Sequence, residues 1–272
     1  MDSAIDADYL KCGQEEADTR LLFHAAHCAS VGFSAVMIAS EDTDVFVLCV
    51  AFSSQIPCAI YIKSGTKTRM QYTDVQKVAN MLGKDKCQAL LGLHSFTGCD
   101  TVSAFAGKGK IAALKLLCKK GLHLETLKGL GSNWDLSEDL SCNLEKFTCQ
   151  IYSSSTSLTK VNDLRFTIFC PRKGEVESWQ LPPCSSSLLN HSKRSNYQCV
   201  IWKRSLDAFP FIPSAVGYGW SLENGELHID WSTAAPAPEI VMELLSCTCT
   251  RQCSAETCIC VKINWSVHTC AS

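Results

Sequence analysis

Two short, continuous apolar runs constrain the fold of the first half of the chain most strongly. Ala35–Ala39 and residues 59–62 have the length and composition of buried parallel strands. Apolar periodicity predicts helices over 16–30, 73–82, 86–96 and 111–119, whereas residues 45–52 fit either a strand or a buried helix. Strands that alternate with helices predict an α/β domain with a parallel sheet flanked by helices.

The character of the sequence changes beyond residue 130. Residues 153–157 and 182–187 are rich in Ser and Pro, and residues 206–231 are rich in Pro, Gly and aromatic residues. Basic and aromatic residues interleave over 191–204, a pattern that can contact nucleic acid. Charges balance over 151–240, however, which favours structural packing. We therefore expect three parts: an α/β domain over 1–130, a mostly irregular accessory region with loops over 131–238, and a small Cys-rich tail over 239–272.

Composition and charge exclude several classes of protein. The net charge of -2 over 272 residues excludes a uniformly basic nucleic-acid coat. The first residues contain three Asp and no basic segment, unlike a secretory signal. The longest apolar run, residues 45–52, is too short to span a membrane. We therefore expect an intracellular protein with no membrane partner, whose 18 Cys are reduced thiols or metal ligands.

Carboxylates stand at three positions where an α/β sheet collects ligands. Glu16 and Asp18 begin a predicted helix, Asp42 and Asp44 follow a predicted strand, and Asp100 follows an apolar helix. Converging carboxylates repel one another, and a hard cation such as Mg²⁺ or Mn²⁺ relieves that repulsion. Two such ions can activate water and stabilise the leaving oxygen of a phosphodiester. Singly, acids at a helix start often only complement the helix dipole.

Two further features bear on this site. Glu15 competes with Glu16 for a place in it, because on a helix Glu15 and Asp18 share a face. Residues 107–110 form a Gly-rich, basic turn before a helix, where main-chain N–H groups, Lys108 and Lys110 could bind phosphate. We expect His94, beside an apolar run, to be a hydrogen-bonded core residue.

The order of these pieces resembles the catalytic half of flap-endonuclease (XPG-type) nucleases of the PIN-like superfamily. Residues 16–18 match an acidic E-A-E helix start, Asp42 and Asp44 match a D-x-D strand end, and residues 98–100 match a G-C-D helix end. The turn at 107–110 resembles the element that grips duplex DNA. The resemblance implies a PIN-like fold, Mg²⁺ or Mn²⁺ bound by the five carboxylates, a branched or single-stranded DNA substrate, and the nucleus as the location.

A closer likeness is to an uncharacterised, transposon-associated animal group. Its blocks EEADTRLLLHA, DTDVLVL and LLGLHAFTGCDT look like residues 15–25, 42–48 and 90–101. The resemblance covers roughly residues 12–130. PIN-like nucleases begin with a strand that carries a further metal-binding Asp, and about a dozen residues precede the acidic helix here. We therefore expect a domain truncated at its N-terminus.

The tail is dense in cysteine. Thiolates at C-x-C spacing can bind Zn²⁺ tetrahedrally. The predicted zinc ligands are Cys247, Cys249, Cys253, Cys258 and Cys260. The pattern resembles the first part of a tesmin-type CXC motif, and His268 is an alternative ligand.

These observations support three hypotheses. The first is a Mg²⁺- or Mn²⁺-dependent DNA nuclease with a two-metal mechanism, or an inactive derivative of one. The second is a non-catalytic, zinc-containing remnant of a transposon-derived gene that binds nucleic acid or protein. The third is a degraded gene product with no folded function.

Overall fold

The sheet of the first half is small and mixed. The computed structural model describes residues 10–121, 123–172, 177–230 and 232. Its first sheet has the strand order β1 (Ala35–Ala39), β2 (Ala59–Ser64), β3 (Gln71–Asp74). β1 and β2 are parallel, as predicted, but β2 and β3 are antiparallel. The chain is thus mixed α/β, and the predicted parallel pairing holds for β1 and β2 but not for the sheet as a whole, because the unpredicted β3 joins it antiparallel.

Helices pack against one face of this sheet, which carries Ile38, Ile60 and Ile62, and continue well beyond it. The other face, with Met37, is exposed, so the described helices do not flank the sheet on both sides as expected. The helices are α1 (Ala17–Ser30), α2 (Thr43–Phe52), α3 (Val75–Leu82), α4 (Lys84–Thr97), α5 (Lys110–Lys120), α6 (Leu124–Gly129), α7 (Glu138–Tyr152), α8 (Val161–Phe169) and α9 (Ser185–Lys203). Short 3₁₀ turns lie at Cys170–Arg172 and Ser178–Gln180. A hairpin of β4 (Trp220–Glu223) and β5 (Glu226–Ile229) follows.

The ambiguous run at 45–52 is helical. Asp42, in an extended conformation, caps α2 by accepting a hydrogen bond from the N–H of Asp44. Nearly every side chain of α2 is buried, because α1, α3 and α4 pack around it. A helix enclosed in this way is apolar on all sides, so periodicity alone could not distinguish it from a strand.

The helix predicted over 73–82 begins two residues later than expected. Thr73 pairs with Ile62 across β2 and β3. Asp74 remains extended and accepts a hydrogen bond from the N–H of Lys77, so it caps α3. The cap therefore places the start of the helix at Val75.

Three helices, α7, α8 and α9, lie among the described residues after residue 130. The prediction of a mostly irregular region is therefore wrong for this part of the chain. α9 begins at Ser185, inside the segment predicted as a loop, and many of its polar side chains are buried. Asn196, for example, accepts from the N–H of Gly131 and donates to the carbonyls of Asn133 and Trp134. Because polar residues with hydrogen-bond partners take the buried positions of this helix, its sequence shows no apolar stripe. The packing predicted for residues 191–204 is nevertheless confirmed.

One hydrophobic core spans both sides of residue 130. The central helix α4 packs against α2, α6 and α9. Phe96 of α4 contacts Phe147 of α7, with ring centroids 6.0 Å apart. The compact unit extends to Ser232. The rest of the chain, including the predicted zinc tail, lies outside the described residues. No helix within the described part is long and apolar enough to cross a membrane.

Candidate functional site

The carboxyl end of β1 carries two of the predicted acids. Asp42 is exposed and caps α2, with its own N–H donating to Ser40 Oγ at 3.0 Å. Asp44, in the first turn of α2, is only 8 % exposed. Glu41, between them and the strand, accepts a hydrogen bond from the N–H of Gly65 and so belongs to the turn after β2. The strand end therefore directs two carboxylates, Asp42 and Asp44, to one place.

The start of α1 brings a third carboxylate to the same place. Asp18 lies in the first turn of α1, next to the loop that follows β1. Asp18, Asp42 and Asp44 each offer a carboxylate oxygen, and these three oxygens lie within 4.8 Å of one another. We call these three residues the acidic cluster. Oxygen ligands at this spacing suit a hard divalent cation.

Electrostatics link all five predicted acids. Burial raises the pKa of Asp18, and the charges of Asp42, Asp44, Glu16 and Asp100 raise it further, to about 6. Like charges that crowd a partly buried carboxyl favour its protonated form. Protonation or a bound cation relieves this repulsion, and perturbation of this kind is typical of functional sites.

Glu16 is held beside the cluster by α9. It is the N-cap residue of α1, with extended backbone angles. Gln198 Nε2 donates to Glu16 Oε1 at 2.8 Å, and Trp202 Nε1 donates to Glu16 Oε2 at 3.1 Å. Glu15 is exposed, and its charge acts on Tyr197 instead. Of the two competing residues, Glu16 is therefore the one beside Asp18.

Asp100 lies on a tight turn at the end of α4. Cys99 and Val102 exchange main-chain hydrogen bonds of 2.9 and 3.2 Å, which leaves Asp100 exposed at the tip. Gly98 has φ +114, and a Cβ there would lie 2.8 Å from the Cα of Ala104, so only glycine fits. Thr101 on the same turn donates to Gln198 Oε1 at 2.7 Å. Gln198 thus connects this turn to Glu16.

The two predicted phosphate-binding lysines lie apart. Lys110 Nζ lies 2.9 Å from His94 Nδ1, and His94 Nε2 lies 2.6 Å from Asp44 Oδ1. The same Nζ lies 3.2 Å from His94 Nε2, so the ammonium faces both ring nitrogens. Because a carboxylate only accepts, Nε2–H donates to Asp44. Lys108 points elsewhere, with Nζ 5.0 Å from the ring centroid of Tyr152. Lys110 therefore belongs to the surroundings of the acidic cluster.

The N-terminus of α5 lies on the same turn as these lysines. Gly109 is its N-cap residue, makes no side-chain capping bond, and has open space where a Cβ would be. The first turn of α5 contains no acidic residue. Such a helix start presents main-chain N–H groups and a positive dipole end to an anion.

Three neighbours of the site were not predicted as parts of it. His94 is buried and hydrogen-bonded, as expected of a core residue, but its partner is Asp44. Gln198 and Trp202 are 182 and 186 residues from Glu16 in the chain. No local spacing relates residues so distant. The burial of polar residues in α9 is visible only after folding.

A scan against protein-family models, a search of curated proteins and a search of solved structures found no match to this chain.

The five cysteines predicted to bind zinc, and the alternative ligand His268, lie outside the described residues.

Proposed function

We propose that this protein is a divalent-metal-dependent DNA nuclease with a PIN-like α/β domain. The observation that carries the proposal is the convergence of Asp18, Asp42 and Asp44 within 4.8 Å. The raised pKa of Asp18 supports it, because the charges of Glu16 and Asp100 also reach this point. The same five acids, in the same order, carry the resemblance to flap endonucleases.

The donor set fits Mg²⁺ or Mn²⁺, because the acidic cluster supplies only carboxylate oxygens. Asp18, Asp42 and Asp44 would hold the metal, and Glu16 and Asp100 would complete the site. Bound there, such ions lower the pKa of a water molecule and stabilise the leaving oxygen of a phosphodiester.

The remaining residues have positioning and binding roles in this proposal. His94 orients Asp44, while Gln198 and Trp202 orient Glu16, as outer hydrogen bonds orient metal ligands elsewhere. Lys110 and the N-terminus of α5 bind the phosphate of the strand. A protein that cleaves DNA would act inside the cell, in the nucleus. Zinc binding by the Cys-rich tail is a separate prediction.

The test is cleavage of branched and single-stranded DNA by the purified full chain. We expect cleavage that requires Mg²⁺ or Mn²⁺ and falls at least 100-fold in Asp42→Asn, a change that removes one charged ligand. Asp135→Asn is the matched control, because Asp135 is exposed and is not among the acids that raise the pKa of Asp18. Equal cleavage by Asp42→Asn would refute the site.

The same preparation distinguishes the alternatives. Bound zinc and retained DNA without cleavage would favour the non-catalytic binding protein. A chain that aggregates and lacks a cooperative unfolding transition would favour a degraded gene product.

A further inference from the structure

A cavity separate from the acidic cluster opens between the start of α9 and the turn before α5. Its volume is about 380 Å³, within the range of small-molecule sites. Its walls include the rings of Phe105, Tyr152 and Trp179, the neutral polar side chains of Ser103 and His191, and one residue of each charge, Arg194 and Asp230. We call it the aromatic cavity.

The walls suit a flat, uncharged ring. Trp179 is 54 % exposed, so its indole is accessible from solvent. Burial lowers the pKa of His191 to about 4, and its Nε2–H donates to the carbonyl of Phe96 at 2.8 Å, so this imidazole is neutral at pH 7. Accessible aromatic faces of this kind stack on nucleobases.

The aromatic cavity is next to the basic turn. A Cβ on Gly107 would lie 3.3 Å from the indole of Trp179, so the backbone of the turn runs against that ring. Lys108, which does not reach the acidic cluster, lies over the ring of Tyr152 at 5.0 Å. A cation beside stacking rings is the combination that binds single strands, with the charge on the phosphate and the ring on the base.

One face of α9 connects the cavity to Glu16, which lies beside the acidic cluster. Ser187, His191 and Arg194 line the cavity, and Gln198 and Trp202 of the same helix hydrogen-bond Glu16. The spacings of three and four residues place all five on one side of the helix. From His191 to Gln198 the helix rises about 10 Å, the length of about three stacked nucleotides.

We propose that the aromatic cavity receives one unstacked nucleobase of the bound DNA strand, about three nucleotides from the part of the strand that lies beside Glu16. This inference rests on the proposed nuclease function and adds a base-binding subsite to it. Trp179 and Tyr152 stack on the base, and Lys108 binds its phosphate. The stacking tolerates any base, so the subsite selects an unpaired nucleotide and not a sequence.

The experiment measures binding of a fluorescent single-stranded oligonucleotide to the full chain by anisotropy. Ca²⁺ replaces Mg²⁺, and a gel checks that the strand is intact. One abasic site is moved along the strand. We expect one position at which the missing base weakens binding about 5- to 150-fold, the value of one stacked base.

Variants of the exposed Trp179 complete the test. Trp179→Ala is expected to weaken binding of the intact strand by the same factor and to abolish the effect of the abasic site. Trp179→Phe should keep most of the affinity for the intact strand and most of the effect of the abasic site. Tyr72→Ala, at an exposed aromatic of β3, is the control.

The outcomes separate the inference from the function on which it rests. The subsite is wrong, and the nuclease function is unaffected, if the chain cleaves DNA with metal but no abasic position weakens binding. The same holds if Trp179→Ala binds the intact strand as tightly as the wild type. A chain that neither binds nor cleaves DNA overturns both. If deoxyadenosine monophosphate binds and loses affinity in Trp179→Ala while the strand does not, the cavity takes a free nucleotide and the strand assignment is wrong.

Discussion

Replacement of Asp18 by Asn should stabilise the metal-free protein. The pKa of Asp18 is raised from 3.8 to about 6, first by burial and then by four neighbouring carboxylates. At about 1.36 kcal/mol for each pKa unit, the ceiling of the effect is about 3 kcal/mol. Asp18 is partly exposed, and solvent screening reduces this to about 1–2 kcal/mol. For a unit of this size that gain raises Tm by about 3–6 °C.

The effect has a defined pH dependence. A folded-state pKa above the unfolded value means that the folded protein binds this proton more tightly. Well below about pH 4 Asp18 is protonated in both states and destabilises nothing. Between about pH 4 and pH 6 the unfolded chain releases this proton while the folded protein keeps it, so wild-type stability falls, and above about pH 6 the loss is complete and constant. Asp18→Asn removes this loss, so its advantage should be small near pH 4, grow up to about pH 6 and stay constant above it.

Thermal unfolding in the presence of a chelator, from pH 4 to pH 8, measures this difference. Asp135→Asn should follow the wild type, because Asp135 is exposed and is not one of the acids that act on Asp18. Addition of Mn²⁺ should raise the Tm of the wild type and leave Asp18→Asn almost unchanged, since the variant has lost a ligand. An Asp18→Asn gain equal at pH 4 and pH 7.5 would refute the electrostatic argument.

Three further predictions concern other parts of the molecule. Gly92→Ala should lower the free energy of unfolding, measured in urea, by at least about 1–3 kcal/mol, because the new Cβ would lie 2.0 Å from a carbonyl oxygen of α6. Gly129→Ala, whose Cβ would make only ordinary contacts, should leave this free energy unchanged. Trp202→Phe removes one donor to Glu16, so half-maximal cleavage should need about 10–100-fold more Mg²⁺; an unchanged requirement would argue against this positioning role. Burial raises the pKa of Cys184, but hydrogen bonds with serine hydroxyls outweigh it and lower the pKa to about 6, so iodoacetamide at pH 7 should modify this thiol before the buried ones, as mass spectrometry can measure.

The sequence correctly predicted those strands and helices that have a simple local pattern of apolar residues. The run Ala35–Ala39 is a strand as expected, but of its five residues only Ile38 is buried, so the expectation of a buried strand is wrong. The helices predicted over 111–119 and 86–96 are present as Lys110–Lys120 and Lys84–Thr97. Apolar runs and periodicity were enough to place these three elements.

Prediction failed or left alternatives open where tertiary contacts replace the local signal. Residues 45–52 fitted a strand or a buried helix, because α2 is enclosed on all sides and its apolar residues have no period. α9 buries Asn196, Gln198 and Ser195 among hydrogen-bond partners, so its sequence is typical of a surface or a loop. The sequence analysis also missed β3, which follows β2 by a short turn and therefore pairs with it antiparallel.

The same limit applies to the site. Acidic residues at helix starts and strand ends can be recognised in the sequence, because these positions lie at the edge of an α/β sheet where ligands collect. The structure brings Asp18, Asp42 and Asp44 together there. The hydrogen bonds of Gln198 and Trp202 to Glu16 depend on the docking of a distant helix. Lys108 and Lys110 are two residues apart, yet they point to different places, which spacing alone did not indicate.

The distance along the chain between Glu16 and its two donors also sets an order of events during synthesis. Gln198 follows Glu16 by 182 residues, and Trp202 by 186. At about 5–20 residues per second, a ribosome makes these donors roughly 10–40 s after it makes Glu16. A nascent chain that ends before α9 holds all five carboxylates but neither donor to Glu16. The arrangement at Glu16 is therefore completed only when α9 has been made and has docked.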